Sequence, residues 1–543
     1  MALKERRDPP LAPGELARHR ADLAAATGRR RLDLILDAPN PLALVRSLPA
    51  DELYLVIRDV GLADAAPLVQ LASAEQFKVF LDLDAWRRDT LDPARAMVWL
   101  RAARAGAMDD PKAAARWARK LDQLDRELLF LLLRGALIVH DLEENEDPEI
   151  VNDRFMRTPE HKYIVEFTVD GAEYVAIRGI LDDLYAQNAF MATRLLSALR
   201  SELDSELSET ALRWRASRLS DLGFPTLEEA LSWFARPPAK AATAQAGLPA
   251  RPPGFWIAAH PGTGLLDRAA AHLSDEVRAA LEPELIAAAN AVLVADATDP
   301  GDVESVARAL GAARAMIELG LESRVGTDEA QAATLLAEVP VKRLFQEGFG
   351  RILALKWRAE RIFKEHGTGT RESPLLDVPL GEALAALCLK RPRFHPGIEA
   401  DRGRWGAPAL AAVPTRPFLT TLDLTRATAA LDAAEGLVAL GSRLGLLLRP
   451  GEPAGLHRLS ARFLTALANE RLGRPFSPAP IPAAELKRAA EALRPGVDHP
   501  SLAEAGEAGA LLRGLATQCA EELHASVESG ASDPATVAAL VLG

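Results

Sequence analysis

This sequence predicts an all-α fold of stacked short helices with one small antiparallel β-hairpin insertion, and three observations carry that expectation. Ala and Leu dominate and Arg far outnumbers Lys, a composition of residues that lose little side-chain freedom in a helix. The aromatic residues that suit strands make up only 5% of the chain, and β-branched residues are thin almost throughout. Helix-start signatures also recur at short intervals along the first half.

Taken in order, Pro49-Ala50-Asp51-Glu52 opens one helix. Ser73-Ala74-Glu75-Gln76 opens another as a capping box, in which hydroxyl and amide satisfy each other's orphan N–H groups. Asp92-Pro93 and Asp110-Pro111 each set an N-cap aspartate before a proline at the first helical position. LVRSLPADELYLVI resembles LVQLASAEQFKVF after a shift of 24 residues. That spacing is typical of helical units that stack into a superhelix because none buries its apolar face alone.

One region departs from helix. Lys162 to Val169 reads KYIVEFTV, followed by Asp170-Gly171 and AEYVAIR, an alternating pattern around a turn dipeptide that predicts a hairpin. Leu137 to Leu142 supplies a candidate third strand, so the β insertion is placed around residues 137–178. Thr226-Leu227-Glu228-Glu229 then caps a further helix.

Proline and glycine divide the 543 residues. The expected parts are a basic, partly disordered N-terminus (1–30), a superhelix-like domain (31–235) and a Pro-rich linker (236–254). A second helical domain (255–390), a Pro/Gly-rich loop (391–417) and an Ala-rich C-terminal helical domain (418–543) follow.

The net charge of −12 argues against a protein that neutralises nucleic-acid phosphates over a broad face, although Arg6, Arg7, Arg18, Arg20 and Arg29 to Arg31 make the start basic. The most apolar run, Leu128 to Val139, is broken by Arg134 and falls short of the ~20 residues that span a bilayer. Two isolated cysteines, Cys388 and Cys519, and no apolar leader point to a reducing, cytoplasmic setting without membrane insertion.

Catalytic signatures are absent: there is no phosphate-binding GxxxxGK[ST], no HExxH and no GxSxG. His140-Asp141 resembles a metal-binding HD pair but lacks a second upstream histidine outside the basic tail. No catalytic residue, metal or cofactor is therefore expected.

Two constellations suit binding. In RWRASRLSDLGF a helical wheel puts Leu212, Ala216 and Leu219 on an apolar stripe, with Trp214 and Arg218 away from it and Asp221 beside them. In the second, Ile352, Leu355, Ala359, Ile362 and Phe363 line one face while Trp357, Arg361 and Lys364 share the other. A tryptophan off the core stripe beside arginine is either an interface anchor for a partner or the second packed face of a layered helix. A small-anion site built from Arg213, Arg215, Arg218, Arg358 and Arg361 is the alternative.

The stretch from Ala211 to Phe234, together with LPADELYLVIRDVGLADAAPLVQLASAEQFKVFLDLDAW and VKRLFQEGFGRILAL, resembles a bacterial family of similar length known only as a domain of unknown function. That resemblance implies a cytosolic helical protein and carries over no reaction. Pro41 to Leu133 is also similar to the cytosolic superhelical domain of MgtE-type magnesium transporters, and this likeness implies architecture alone. The function expected is non-catalytic: interaction or scaffolding with a protein partner through helical surfaces. A helical enzyme or small-molecule sensor is the alternative.

Overall fold

A computed structural model describes residues 12–87, 89–107, 110–201, 204–236, 262–299, 302–365, 368–372, 374–448, 457–528 and 539–542. These residues fall into two compact units. The first draws on Met1–Trp233, Lys240–Arg314 and Glu329–Lys342, the second on Phe234–Ala239, Ala315–Asp328 and Arg343–Gly543. The first eleven residues of the basic start and residues 237–254 of the expected linker lie outside the described residues. No helix among the described residues is long and apolar enough to cross a membrane.

The first unit opens with α1 (Pro13–Ala25), α2 (Arg29–Leu36), α3 (Pro41–Ser47), α4 (Ala50–Val60), α5 (Ala66–Leu71) and α6 (Ala74–Asp84). The two similar segments take the same form. Each runs from the end of a short helix through a tight turn into a longer one, and α3 packs on α5 while α4 packs on α6. The capping box is present at α6, with Ser73 Oγ accepting from Gln76 N at 3.1 Å and Gln76 Oε1 accepting from Ser73 N at 2.9 Å. The Gln76 amide also donates to the Val45 and Leu48 carbonyls, each at 2.8 Å. One side chain thus starts its own helix and satisfies the open end of α3.

A two-residue ribbon, β1 (Trp86–Arg87) with β2 (Thr90–Leu91), leads to α7 (Pro93–Arg104), α8 (Pro111–Gln123) and α9 (Arg126–Arg134). Asp92 and Asp110 cap α7 and α8 as the sequence predicts. Tyr54, Phe80 and Trp99, all fully buried, stack with centroids 5.3–6.4 Å apart at the centre of these layers.

The β insertion is a three-stranded antiparallel sheet of β3 (Leu137–Asp141), β4 (Phe155–Arg157) and β5 (Tyr163–Phe167), in the order β3-β5-β4. The expected third strand is present, but the hairpin through Asp170-Gly171 is not. Gly171 instead begins α10 (Gly171–Ser201), a long helix broken at Asn188. The reason is periodicity beyond the window that suggested a strand. Ala176, Ile177, Ile180 and Leu181 recur at helical spacing and all are buried, and the Asp170 carbonyl accepts from Tyr174 N in the first turn. The missing partner strand is Phe155–Arg157, whose three residues carry too little pattern to notice.

The unit continues with α11 (Asp204–Asp221), α12 (Leu227–Trp233), α13 (Leu265–Ala271), α14 (Asp275–Asp296), the first part of α15 (Val303–Val325) and α16 (Glu329–Glu338). α12 lies against α14, and α13 against α16.

The second unit contains the remainder of α15, most of α17 (Val341–Glu365), α18 (Leu380–Leu387), α19 (Thr421–Arg443), α20 (Leu459–Arg471), α21 (Leu486–Leu493), α22 (Pro500–Ala503) and α23 (Gly506–Glu528). α23 packs on α19, α20, α21 and α22. The Pro/Gly-rich stretch from Arg391 to Pro417 is ordered. Three 3-10 turns follow one another inside it, and its ends are joined by Phe394 and Arg416, which exchange backbone hydrogen bonds of 2.8 and 3.0 Å. The Arg416 guanidinium lies 4.3 Å from the Phe394 ring centre and grips both oxygens of Asp423, the residue that completes the cap of α19.

Candidate functional site

The inward side of α11 is not the aliphatic stripe drawn from the wheel. Ala211 is buried, Leu212 and Leu219 are half-buried, and Ala216 is exposed. Arg215 and Arg218 turn toward α6 and α9 instead. Arg218 donates to Asp82 from Nε (2.6 Å) and Nη2 (3.0 Å), and to Asp125 from Nη1 (2.7 Å). Arg215 Nε donates to the Asp82 carbonyl at 2.9 Å, and its guanidinium lies 5.3 Å from the centre of the Trp86 ring.

The cause is Asp82 itself. Its side chain is 1% exposed in the last turn of α6, where the helix dipole already disfavours a carboxylate. Burial pushes its pKa up, and Arg218 and then Arg215 oppose that shift. A buried carboxylate needs a cation and hydrogen-bond donors, so the face of α11 that meets it carries arginine where an ordinary helix carries leucine.

Two residues along, Asp84 is the centre of a second set of pairs. It accepts from Trp99 Nε1 at 2.7 Å and from Tyr54 Oη at 3.4 Å, and the Arg95 and Arg58 guanidiniums lie 3.4 and 3.5 Å from Oδ1. Burial, and then the charge of Asp84, push the Tyr54 phenol well above its ordinary value, so it remains a donor. Arg95 and Arg87 also reach Asp299, at 3.3 and 3.7 Å. Chemically these are closed ion pairs in which each carboxylate faces N–H or O–H donors. They hold α4, α6, α7, α9 and α11 in register.

The sequence reading missed Asp82 and Asp84. The available signal was two aspartates two apart in an otherwise apolar run, VFLDLDAW. Their partners could not be read, because Arg218 lies 136 residues from Asp82.

The four nominated residues are placed as follows. Trp214 is 53% exposed on α11, one turn before Arg218. Arg218, with 17% of its side chain exposed, is taken up by Asp82 and Asp125 and not by Asp221. Arg213, next to Trp214, is exposed and has no ion pair among the described residues.

In the second unit the apolar face of α17 is as the wheel drew it. Ile352, Leu355, Ala359 and Ile362 are buried and Phe363 is half-buried. Trp357 is 47% exposed, and Arg361 and Lys364 are exposed with it. Arg358 pairs with Glu435 (2.7 and 2.6 Å) and Asp432 (2.5 Å) of α19. The Glu435 pKa is lowered by Arg358 first, with a smaller contribution from Arg361. Of the guanidiniums considered for an anion pocket, Arg215, Arg218 and Arg358 thus already hold protein acceptors within their own units.

Among the described residues no group of three or more His, Cys, Asp or Glu side chains is placed to hold a metal ion. His140 lies in β3 with Nε2 3.2 Å from Glu166 Oε2, a carboxylate that also accepts from Val151 N and Asn152.

No curated protein and no solved structure matches the chain at a significant level. A match over residues 10–537, nearly the whole length, shows that the chain belongs to the Family of unknown function (DUF6178).

Proposed function

We propose that this is a non-catalytic helical interaction protein that presents Trp214, and in its second unit Trp357, to an acidic segment of a partner protein. The observation that carries this reading is the exposure of Trp214 on a helix whose inner face is fixed by buried ion pairs. A large aromatic that is held in place and half in water loses little conformational entropy when covered, and such residues dominate interface energetics. An acidic partner is favoured because Arg213 stands beside Trp214 and Arg361 one turn from Trp357. Both cations are exposed and neither has an ion pair among the described residues. Arg218 then acts as a positioning residue, holding the helix that presents the tryptophan. A repeat-like stacking of short helices and a cytoplasmic setting are part of the same proposal.

The test is quantitative affinity capture of the full chain from its own cells, comparing wild type with Trp214→Ala, Trp357→Ala and a charge reversal, Arg213→Glu. Phe190→Ala, at another exposed aromatic, serves as control. The reading expects one stoichiometric partner that is lost with the tryptophan and Arg213 variants, is kept with the control, and binds less tightly as salt rises. Equal recovery of the same partner by all variants would reject it.

A further inference from the structure

In the second unit, residues Ala539–Leu542 are fastened to three other parts of the chain. Val541 N donates to Thr465 Oγ1 on α20 at 2.9 Å, and the Val541 carbonyl accepts from Ile481 N, also at 2.9 Å. Ile481 and Leu542 form one isolated parallel bridge. Leu540 is fully buried, and the Ala539 carbonyl accepts from Cys519 Sγ on α23 at 3.7 Å.

These attachments are few, and they are separate from those that hold the unit together. Every residue of α20 from Leu459 to Asn469 is buried, and α23 packs on α19, α20, α21 and α22. The free energy of a local opening follows the buried apolar contacts and hydrogen bonds that it breaks. Releasing Ala539–Leu542 breaks two backbone hydrogen bonds, both at Val541, and uncovers one fully buried leucine. Opening α20 breaks far more.

The groups beside this segment are polar as well as apolar. Thr465 is fully buried. Cys519, itself half-buried, neighbours Ser460, which donates to buried Asp377 from its hydroxyl and, at 3.1 Å, from its backbone N. A segment that only filled the core would have no need of such neighbours.

We propose that Ala539–Leu542 is a strap that opens as a unit while α19–α23 stay folded, and that its opening turns Cys519 from a shielded thiol into a reactive one. The thiolate is the nucleophilic form of cysteine. With the strap in place, burial first and then the charge of Asp377 push the Cys519 thiol up to about 12, so little thiolate forms at pH 8. Opening frees the sulfur from the Ala539 carbonyl and admits water to it, which withdraws the burial part of that shift. Cys388 is the internal reference. It is fully buried at the end of α18, and burial pushes its thiol up to about 11, so it reports opening of the core.

The experiment is alkylation of the folded full chain with iodoacetamide at pH 8, with the time course at each cysteine followed by mass spectrometry. The thiolate displaces iodide, and the new S–C bond marks the site. Wild type is compared with Leu540→Ala, Thr465→Val and a core control, Leu431→Ala, at a fully buried position of α19. Leu540→Ala should speed labelling of Cys519 by about tenfold or more, as truncation of a buried leucine predicts. Thr465→Val, which removes the acceptor of Val541 N, should speed it by about fivefold. Cys388 should be unchanged in both, and Leu431→Ala should not speed Cys519 relative to Cys388. Hydrogen exchange of the wild type gives a second reading that needs no variant: the Val541 and Ile481 amides should exchange ahead of those of α20. Cys519 and Cys388 speeding together in the strap variants would overturn the proposal. So would an unchanged Cys519 in both, or strap amides as protected as those of α20.

Discussion

Arg218 grips Asp82 through both carboxylate oxygens, Nε to Oδ2 at 2.6 Å and Nη2 to Oδ1 at 3.0 Å, and spends its remaining arm on Asp125. One guanidinium therefore ties α11 to the end of α6 and the start of α9. Partial burial and these partners decide what its loss does. Removing one member of a buried pair leaves the other as an uncompensated charge, at a cost of about 3–5 kcal/mol. Arg218→Ala is accordingly expected to destabilise the first unit by that amount in denaturant unfolding. Trp214→Ala, four residues away and half exposed, should change stability by less than about 1 kcal/mol. Equal and small losses from both variants would mean that water reaches Asp82 freely.

The difference between Trp214 and Arg218 also shows how far the sequence could be read. A helical wheel fixes which residues share a face, and for α17 the drawn apolar face is the buried one. For α11 the same method failed on its inner side, because hydrophobicity was taken as the mark of burial. Asp82 imposes a different rule there, and nothing local to α11 announces a carboxylate 136 residues away. Local signals fared well where the chemistry is local: the Ser73 capping box and the aspartate caps of α7 and α8 are all present. The Asp170-Gly171 dipeptide misled because an aspartate and a glycine at positive φ serve equally well at a hairpin and at a helix start. The burial of Lys120 was illegible for the reason that hid Asp82: its acceptor, the Gln70 carbonyl, and its neighbour Arg46 come from α5 and α3.

The second unit offers a sharper test of packing. Gly348 on α17 and Gly320 on α15 lie where the two backbones meet. A Cβ added at Gly348 would stand 2.0 Å from the Met316 carbonyl oxygen, and one at Gly320 would stand 2.1 Å from that of Leu344. These neighbours are backbone, so the helices themselves must separate. Gly350, two residues further along α17, has nothing within 4 Å of its would-be Cβ. Gly348→Ala should therefore cost about 1–3 kcal/mol or more through overpacking. Gly350→Ala should gain up to about 1 kcal/mol from helix propensity. The two alanines differ only in what they meet, and thermal melts of both separate steric contact from propensity.

Lys120 gives a pH dependence whose sign follows from its environment. In the folded chain burial and its arginine neighbours hold it near 7, whereas in the unfolded chain it returns to its ordinary value of 10.5. Between those values the unfolded state carries the extra proton, so raising the pH favours folding. Below about pH 7 both states are protonated and the full cost of burying the charge is present. At about 1.4 kcal/mol per pH unit, that cost amounts to several kcal/mol. Lys120→Met removes the charge and gives up one hydrogen bond to Gln70, worth about 1 kcal/mol. The variant is thus expected to be more stable than wild type at pH 6.5. Its advantage should shrink steadily toward pH 10, where the wild-type amine is neutral in the fold. Because every other titrating group is common to both proteins, the difference between their stability curves isolates this lysine. A difference that stays flat from pH 6.5 to 10 would mean that the ammonium is solvated, and that the cations around it do not act on a buried charge.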